Sequence, residues 1–325
     1  MARTRYIEAL ARALRDEMLA DDKVMVLGED VRQSLRRITH GLAAEFGDDR
    51  VIDTPLAEQA ATGFATGAAM RGWRPVLEFQ VPSLLYVAFD QVVNQAAKLS
   101  IMTGGQAKVP VTYMFPGSGA RIGLAGQHSD HPYAILAQAG VKTVVPATPS
   151  DAYALLRTAI RDEDPVAVFA PAALLGNRED LLDEVPEVPL GSGRIHREGT
   201  DVTLVAVGHL VPIALAAVND LAAAGISAEL FDPRTIYPFD WDLLRASVAK
   251  TGRLVVADDT GRTCGLAAEI VATIAEEMPL RSLPKRVTRA DSAIPFAPTL
   301  ELALTPGKEA ITSAVKGVVE EAVAA

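Results

Sequence analysis

Short runs of consecutive hydrophobic residues alternate along the chain with longer segments of helical periodicity. The apolar runs at residues 24–27 and 202–207 are typical of strands buried on both faces of a parallel sheet. Residues 5–19 repeat their apolar positions every three or four residues, and residues 83–102 are expected to form a long helix that ends at a Gly-Gly pair. This alternation predicts parallel sheets covered by helices on both faces.

The alternation is interrupted between residues 176 and 193. This segment contains Pro186, Pro189 and several acidic residues, without a clear period. A chain of 325 residues is also too long for one core of ordinary size. We therefore expect two α/β domains, at residues 1–175 and 194–325, joined by a linker at residues 176–193.

Composition and charge exclude several classes of protein. The formal net charge of −10 argues against nucleic acid or an anionic membrane surface as a partner. No apolar run is long enough to span a bilayer, and residues 1–5 begin a helix rather than a signal peptide. The single cysteine, Cys264, argues against a disulfide framework and against a multi-cysteine metal site. We expect a globular, cytoplasmic protein.

Residues 53–70 form the most informative segment. Thr54 is a good helix cap and Pro55 suits a first helical position, so the helix is expected to begin there. Glu58 then lies in the first turn, one position too late for a capping box. The rest of this helix consists mostly of small residues, including Gly63 and Gly67, which allow another backbone to approach closely.

Several polar residues follow predicted strands of the first domain, where open parallel sheets bind their ligands. They include Glu29, Glu58 and the loop residues His128 and His131. From the residues alone, Glu58 is also consistent with a solvated carboxylate favoured by the helix dipole, and His128 with a solvated loop residue. The two histidines have no further Cys or His nearby, so we expect no metal ion there.

Three common phosphate-binding patterns are missing from the sequence. The chain has neither a Gly-x-Gly-x-x-Gly after a strand nor a Walker-type Gly-x-x-x-x-Gly-Lys-Ser/Thr, so a dinucleotide enzyme and a P-loop ATPase are not expected. It also has no Gly-Asp-Gly followed by Asn, the pattern that holds magnesium diphosphate in thiamine enzymes.

Seven segments, in chain order, carry a resemblance to one family. They are residues 28–31 (GEDV), 53–58 (DTPLAE), 89–98 (FDQVVNQAAK), 104–106 (GGQ), 127–129 (QHS), 232–240 (DPRTIYPFD) and 295–301 (PFAPTLE). Together they resemble the beta subunit of the thiamine-diphosphate-dependent decarboxylase component of 2-oxo acid dehydrogenase complexes. Pyruvate, branched-chain 2-oxo acid and acetoin dehydrogenases belong to that group.

The resemblance implies two doubly wound α/β domains, a pyrimidine-binding domain of the thiamine-diphosphate type followed by a transketolase C-terminal domain. It implies an alpha subunit that supplies the missing diphosphate and magnesium motif, with the cofactor shared between the two chains. The implied assembly is an α₂β₂ heterotetramer, with the small-residue helix at a subunit contact. The implied acceptor of the acyl group is lipoamide on an acyltransferase.

The resemblance also implies roles for individual residues. Glu58 would be the carboxylate that hydrogen-bonds to the aminopyrimidine of thiamine diphosphate and drives its proton shift. Glu29 and Leu84 would contribute to cofactor binding, and His128 would assist substrate binding or acyl transfer. Family members often bind a structural potassium ion near the positions of Asp90 and Asn94, which makes this a candidate potassium site.

The chain departs from the family around the expected pocket. A glycine-rich turn is replaced by the basic residues 32–37, expected aromatic positions hold Val81 and Leu84, and a usual His-Glu pair reads Asp258-Asp259. The acyl donor is therefore left open among 2-oxo acids and acetoin.

Two other functions also remain open. One is a non-catalytic subunit that assembles or docks such a complex. The other is one half of a split transketolase, which would need basic phosphate contacts such as Arg121.

Overall fold

A computed structural model describes residues 3–119, 124 and 126–321. These residues form two compact units. The first contains the described residues up to Gly119 and from Gln127 to Leu190, and the second contains Leu124, Gly126 and the residues from Gly191 onward. The chain passes from one unit to the other after Leu190, within the segment expected to be a linker.

The first unit contains eight strands and seven α-helices among its described residues. The strands are β1 Thr4–Arg5, β2 Val24–Gly28, β3 Val51–Asp53, β4 Arg74–Glu78, β5 Thr112–Ser118, β6 Lys142–Val144, β7 Val166–Pro171 and β8 Arg178–Glu179. The helices are α1 Tyr6–Ala20, α2 Leu42–Phe46, α3 Glu58–Met70, α4 Leu85–Asp90, α5 Lys98–Met102, α6 Tyr133–Gln138 and α7 Pro149–Arg161. Short 3₁₀ turns lie at Pro82–Leu84 and Ala172–Leu174.

Six strands of this unit form a parallel sheet in the order β6-β7-β5-β4-β2-β3. Val26, Val76 and Met114 pack into one core with α1 and α7. Because side chains alternate along a strand, Leu27 and Leu77 are buried on the opposite face, on the side where α3 packs. The sheet is thus covered on both faces, as the hydrophobic pattern predicts.

The second unit is also built from strands and helices that alternate along the chain. Its strands are β9 Arg194–Arg197, β10 Val202–Ala206, β11 Ala228–Asp232, β12 Thr235–Tyr237, β13 Leu254–Gly261 and β14 Lys285–Arg289. Its helices are α8 Leu210–Ala223, α9 Trp241–Thr251, α10 Leu266–Glu277, α11 Pro298–Leu304 and α12 Lys308–Glu320. A sheet of order β14-β13-β10-β11-β9 is parallel except for β9, which is antiparallel to β11. Across the ranges described here, every helix is too short or too polar to cross a bilayer.

Helix α3 begins at Glu58, so the prediction of a helix starting at Pro55 and capped by Thr54 was wrong. The Thr54 N–H donates to the Gly28 carbonyl at 2.9 Å and thereby continues the pairing of β3 with β2. The Ala57 N–H donates to the Pro55 carbonyl at 2.8 Å, which forms a turn before the helix. Ala57 occupies the cap position and makes no side-chain hydrogen bond. Glu58 is therefore the first helical residue.

The long helix predicted over residues 83–102 is divided in its middle. Between α4 and α5 the backbone has π-helical geometry from Gln91 to Ala97. The side chain of Gln91 lies against α3, and a Cβ atom added to Gly63 would be only 3.1 Å from its Oε1 atom. Gly63 thus allows the two helical segments to pack closely, as its small size predicts.

Helices α3, α4 and α5 expose several large apolar side chains. Helix α3 packs on α4 and on the π-helical segment, which in turn contacts α5. The large apolar side chains exposed on these helices are Phe64, Met70, Tyr86, Val87, Ile101 and Met102. Exposed apolar surface of this kind is typical of an interaction site. The placement of this region at a subunit contact stays a prediction.

A buried carboxylate joins α1 to α7. Glu17 is only 3% exposed and accepts hydrogen bonds from Arg157 Nε at 2.6 Å and from Arg161 Nε at 2.8 Å. A buried charge is tolerated when its hydrogen bonds are satisfied, as they are here. Removing the carboxylate would take the shared buried partner from both guanidinium groups and leave Arg161 with Glu187 and Arg157 with the Tyr153 hydroxyl.

We expect Glu17→Gln to lower the free energy of unfolding by about 3 kcal/mol, the cost typical of breaking a buried ion pair. Chemical denaturation of the chain, followed by circular dichroism, measures this change. Asp220→Asn is the matched control, because Asp220 pairs with Lys308 on the surface and such pairs contribute little. Equal effects of the two substitutions on the free energy of unfolding would contradict the stabilising role assigned to the buried Glu17 carboxylate.

Candidate active site

The carboxyl ends of β2, β3 and β4 meet at one edge of the first sheet. Gly28 is opposite both Asp53 and Glu78 in the register of these strands. Gly28 has φ +153°, and a Cβ atom there would lie 2.5 Å from the Glu78 carbonyl oxygen. Only glycine fits so close to a backbone carbonyl, which explains the glycine at the start of the GEDV segment.

A small cavity lies at this edge. Its lining residues are Gly28, Glu29, Thr54, Glu58, Ala61, Leu77, Glu78, Phe79, Gln80 and Leu84. The structure therefore brings together Glu29, Glu58 and Leu84, the three residues that sequence reasoning assigned to cofactor binding. They come from the loop after β2, the first residue of α3 and the 3₁₀ turn before α4.

The charge of Glu58 acts on the neighbouring carboxyl of Glu29. Partial burial raises the pKa of Glu29, and the charges of Glu58 and Asp30 raise it further. Glu58 is half-buried at the start of α3, where the unpaired N–H groups of a helix favour a negative charge. One carboxyl thus holds its proton more tightly than usual beside a second carboxyl, an arrangement suited to proton handling.

The third acid of the cavity, Glu78, was not predicted from the sequence. This residue is 3% exposed, and its Oε2 atom has no hydrogen-bond partner among the described residues. Burial raises the pKa of Glu78 to about 7, although the positive charge of Arg36 acts in the opposite direction. A glutamate directly after the apolar strand residues 75–77 is the signal in the sequence that points to it.

The loop that contains His128 is anchored to the end of β5. Gly119 has φ +83°, and a Cβ atom there would lie 1.7 Å from His131 Nε2, so the imidazole of His131 lies directly on this glycine. The Gly119 N–H donates to the Asp130 carbonyl at 3.2 Å, and the Tyr86 hydroxyl donates to Asp130 Oδ2 at 2.6 Å. His128 is half-buried in this loop and is not one of the described residues that line the Glu58 cavity. Arg121 lies outside the described residues.

Asp90 and Asn94 lie on the exposed side of the α4 and π-helical segments. Asn94 Nδ2 donates to Asp90 Oδ1 at 2.8 Å, and Lys98 Nζ donates to Asn94 Oδ1 at 2.8 Å. Their side-chain oxygens therefore already accept hydrogen bonds within this helix. A potassium ion near them would depend on backbone carbonyls, as the resemblance implies, and this site stays a prediction.

The lining of the Glu58 cavity suits one half of thiamine diphosphate. It combines carboxylates with apolar side chains such as Leu77, Phe79 and Leu84, and contains no lysine or arginine among the described residues. Carboxyl groups can exchange hydrogen bonds with the nitrogens of an aminopyrimidine, and the apolar side chains suit its ring. A diphosphate would need cations or a metal ion, which this lining does not provide.

Comparison with known proteins agrees with this chemistry. The family described as "Transketolase, pyrimidine binding domain" matches residues 3–177, and "Transketolase, C-terminal domain" matches residues 191–311. The chain is 39% identical to the pyruvate dehydrogenase E1 component subunit beta of Rickettsia felis, covering 96% of this chain and 97% of that protein. This chain belongs to the E1 beta-subunit family.

Relatives within the family differ in their named activities. The chain is 41% identical to the 3-methyl-2-oxobutanoate dehydrogenase subunit beta of Mycobacterium tuberculosis, covering 97% of this chain and 92% of that protein. It is 38% identical to the acetoin:2,6-dichlorophenolindophenol oxidoreductase subunit beta of Bacillus subtilis, covering 94% of each chain. The family that the sequence motifs indicate is thus confirmed.

A solved structure has the same fold. It is titled "Split gene transketolase, inactive beta4 tetramer" and superimposes with a TM-score of 0.81 at 24% identity. The match covers 97% of this chain and 98% of the other. The predicted fold class, a pyrimidine-binding domain followed by a transketolase C-terminal domain, is therefore confirmed.

The raised pKa of Glu78 makes the stability of the chain depend on pH. The folded state keeps the proton up to about pH 7, whereas the unfolded state loses it near the ordinary value of 4.5. Stability from this group is therefore complete below pH 4.5 and is lost as the pH rises to about 7. We expect Glu78→Gln to match the native chain near pH 4.5 and to be roughly 3 kcal/mol more stable at pH 8.

Denaturation curves of both proteins between pH 4.5 and 8 measure this difference. Glu277→Gln is a control of opposite sign, because a hydrogen bond from Arg245 lowers the pKa of Glu277. The stability that comes with a lowered pKa is lost only as the pH falls below about 4.5, so the effect of this substitution should stay nearly constant between pH 4.5 and 8. A stability difference for Glu78→Gln that stays constant with pH would contradict a raised pKa.

Proposed function

We propose that this chain is the beta subunit of a thiamine-diphosphate-dependent decarboxylase component of a 2-oxo acid or acetoin dehydrogenase complex. In this function it is part of an oxidoreductase that decarboxylates a 2-oxo acid, or cleaves acetoin with release of acetaldehyde, and passes the acyl group to lipoamide. The observation that carries the proposal is the single cavity lined by Glu29, Glu58 and Leu84. Family membership over almost the whole chain supports it.

Thiamine diphosphate, when bound, supplies the nucleophilic carbon and accepts the electrons released by decarboxylation. The residues of this chain would control a proton on the aminopyrimidine ring of the cofactor. Glu58 would exchange a hydrogen bond with a ring nitrogen of the aminopyrimidine, and the partly buried cavity would strengthen this bond. Glu29, whose pKa is raised, would lie beside Glu58 and release its proton less readily than an ordinary glutamic acid. Leu84 would pack against the ring.

The rest of the cofactor must be held by another chain. The diphosphate and magnesium motif is missing from this sequence, and the cavity lining is acidic and apolar. An alpha subunit would supply the magnesium site, and two such pairs would form an α₂β₂ heterotetramer. A lipoyl acyltransferase would take the acyl group. We expect this complex in the cytoplasm, without a nucleic acid or membrane partner.

His128 has a separate role in the proposal. It lies on a loop anchored by Gly119, Asp130 and Tyr86, and is half-buried rather than fully solvated. An imidazole in such a position can donate a hydrogen bond or transfer a proton near neutral pH. We assign it to substrate binding or acyl transfer.

We also propose a structural potassium ion near Asp90 and Asn94, as the resemblance to the family implies.

A non-catalytic assembly subunit is the principal alternative. The basic residues 32–37 and the aliphatic Val81 and Leu84 favour it, because they alter the expected pocket. The glutamate pair Glu29 and Glu58 favours catalysis, because a subunit used only for assembly has no need of two carboxyl groups in one cavity. The same departures leave the acyl donor open among pyruvate, branched-chain 2-oxo acids and acetoin.

We expect Glu58→Ala to lower the turnover of the complex with its alpha subunit by at least about 100-fold, because proton transfer to the cofactor loses its carboxyl group. Steady-state assays with pyruvate, 3-methyl-2-oxobutanoate and acetoin measure the change. Size-exclusion chromatography should show the same assembly as for the native complex. Glu309→Ala is the matched control, since Glu309 is an exposed acid in the first turn of α12.

Unchanged turnover of the Glu58→Ala complex would contradict the proposed role of this residue. A native complex that is inactive with every acyl donor, yet assembles normally, would favour the non-catalytic alternative. Transfer of two-carbon units between sugar phosphates by the complex would favour the split transketolase.

We expect the isolated chain to bind thiamine diphosphate weakly or not at all, because only the aminopyrimidine half of the site lies within it. Adding the alpha subunit should restore tight binding. Isothermal titration calorimetry of the chain alone, of the alpha subunit alone and of the mixture measures this. Tight binding by the isolated chain would overturn the model of a site shared between two chains.

A further inference from the structure

His128 and the Glu58 cavity belong to different segments of the first unit. Leu84 lines the cavity from the 3₁₀ turn that leads into α4, whereas His128 lies in the loop between β5 and α6. An imidazole that binds substrate must keep a fixed distance from the cofactor, because a misplacement of about 1 Å can cost roughly 100-fold in rate. A contact that joins these two segments is therefore a candidate for a functional role.

Tyr86 and Asp130 make such a contact. Tyr86 is the second residue of α4 and follows Leu84 by two positions, and Asp130 follows His128 by two positions. The Tyr86 hydroxyl donates to Asp130 Oδ2 at 2.6 Å, a length typical of a hydrogen bond from a hydroxyl to a carboxylate. This hydrogen bond joins the α4 segment to the loop that contains His128.

Asp130 also organises its own loop. Its Oδ1 atom accepts the His131 N–H at 2.8 Å, and its backbone carbonyl accepts the Gly119 N–H at 3.2 Å. The imidazole of His131 lies directly on Gly119, where a Cβ atom would be 1.7 Å from the His131 Nε2 atom. Asp130 therefore connects Tyr86 with the residue that follows β5.

The position of Asp130 bears directly on His128. Ser129, the residue between them, is fully buried, and His128 is half-buried. Burial restricts the backbone of Ser129, and the hydrogen bonds described above restrict that of Asp130. The direction in which the imidazole of His128 leaves the loop therefore depends on where Asp130 is held.

We propose that Tyr86 is a positioning residue of the active site: its hydroxyl holds Asp130, and through Asp130 it keeps the imidazole of His128 at a fixed distance from the cofactor cavity. Tyr86 would act through His128 and would not itself contact the reacting atoms. The catalytic consequence rests on the proposed function, whereas the link between Tyr86 and the loop concerns the chain alone.

Amide hydrogen exchange of the isolated chain tests the link. Tyr86→Phe keeps the ring and removes the hydroxyl, so the amides of Gly119 and His131 should exchange about tenfold faster, the factor expected from one hydrogen bond. Tyr153→Phe is the matched control, because the Tyr153 hydroxyl donates to Asp16 at 2.7 Å and joins α7 to α1 instead. Exchange of the same two amides should be unchanged in this control.

Asp130→Asn tests the same hydrogen bond from its acceptor side. A neutral amide accepts a hydrogen bond more weakly than a carboxylate, so the amides of Gly119 and His131 should again exchange faster. Adding Tyr86→Phe to this variant should have a much smaller effect than in the native chain, because the two residues share one interaction. Unchanged exchange in Tyr86→Phe, or an equal effect of Tyr86→Phe in both backgrounds, would overturn the proposal.

Steady-state kinetics of the complex with the alpha subunit test the catalytic consequence. Tyr86→Phe should lower kcat/KM for the acyl donor by about tenfold, less than the roughly 100-fold that a misplacement of 1 Å can cost. In the His128→Ala background it should have no further effect, because it acts through His128. The affinity for thiamine diphosphate, measured by calorimetry, should be the same in Tyr86→Phe and in the native complex, since the cavity residues are intact.

The possible failures can be told apart. If Glu58→Ala leaves turnover unchanged, the proposed function fails, and hydrogen exchange still decides the link between Tyr86 and the loop. If turnover depends on Glu58 while Tyr86→Phe has the same effect with and without the imidazole of His128, only the positioning role fails. An unchanged kcat/KM for Tyr86→Phe would overturn that role as well.

Discussion

The candidate site depends on the close approach of the Glu78 carbonyl to the Cα of Gly28. Any side chain at position 28 would force β4 away from β2 at the edge where both strands end. Glu29 follows this glycine directly, and the Gly28 carbonyl also accepts the Thr54 N–H, which fixes the segment leading to Glu58. One glycine thus sets the relative positions of the segments that carry all three carboxyl groups. The three acids lie close together because β2 and β4 approach each other so closely that there is no room for a Cβ atom at position 28.

The hydrophobic pattern was sufficient to predict the class of fold. Continuous apolar runs such as those of β2 and β10 are buried on both sides, so their pattern alone indicates parallel sheets. The start of α3 was predicted less well, because Thr54 uses its backbone to extend the sheet rather than its side chain to cap the helix. That choice depends on a strand that lies more than twenty residues away, which local capping rules do not include.

The candidate site was only partly predictable, because local sequence rules do not include contacts between distant residues. Glu29 and Glu58 follow strand ends or begin a helix, positions where function is expected, and sequence motifs pointed to both. Glu78 ends a strand, and its position there is the one local sign of a function. Its raised pKa arises from burial in the folded chain, and the charge of Arg36, a loop residue distant in the sequence, acts in the opposite direction. Both effects depend on the tertiary structure and have no local signature. The same applies to Gly117 and Gly119, whose need to be glycine becomes evident only from the side chains packed on them.

The apolar side chains exposed on α3, α4 and α5 have a consequence for how this chain is produced. Phe64, Val87 and Ile101 face solvent when the chain is alone, and water disfavours such surface. A chain that belongs to a larger complex would cover them on assembly. Synthesis in excess of its partners would therefore leave molecules prone to self-association. Balanced expression of the subunits, rather than abundance of any one of them, would then set the amount of functional complex in a cell.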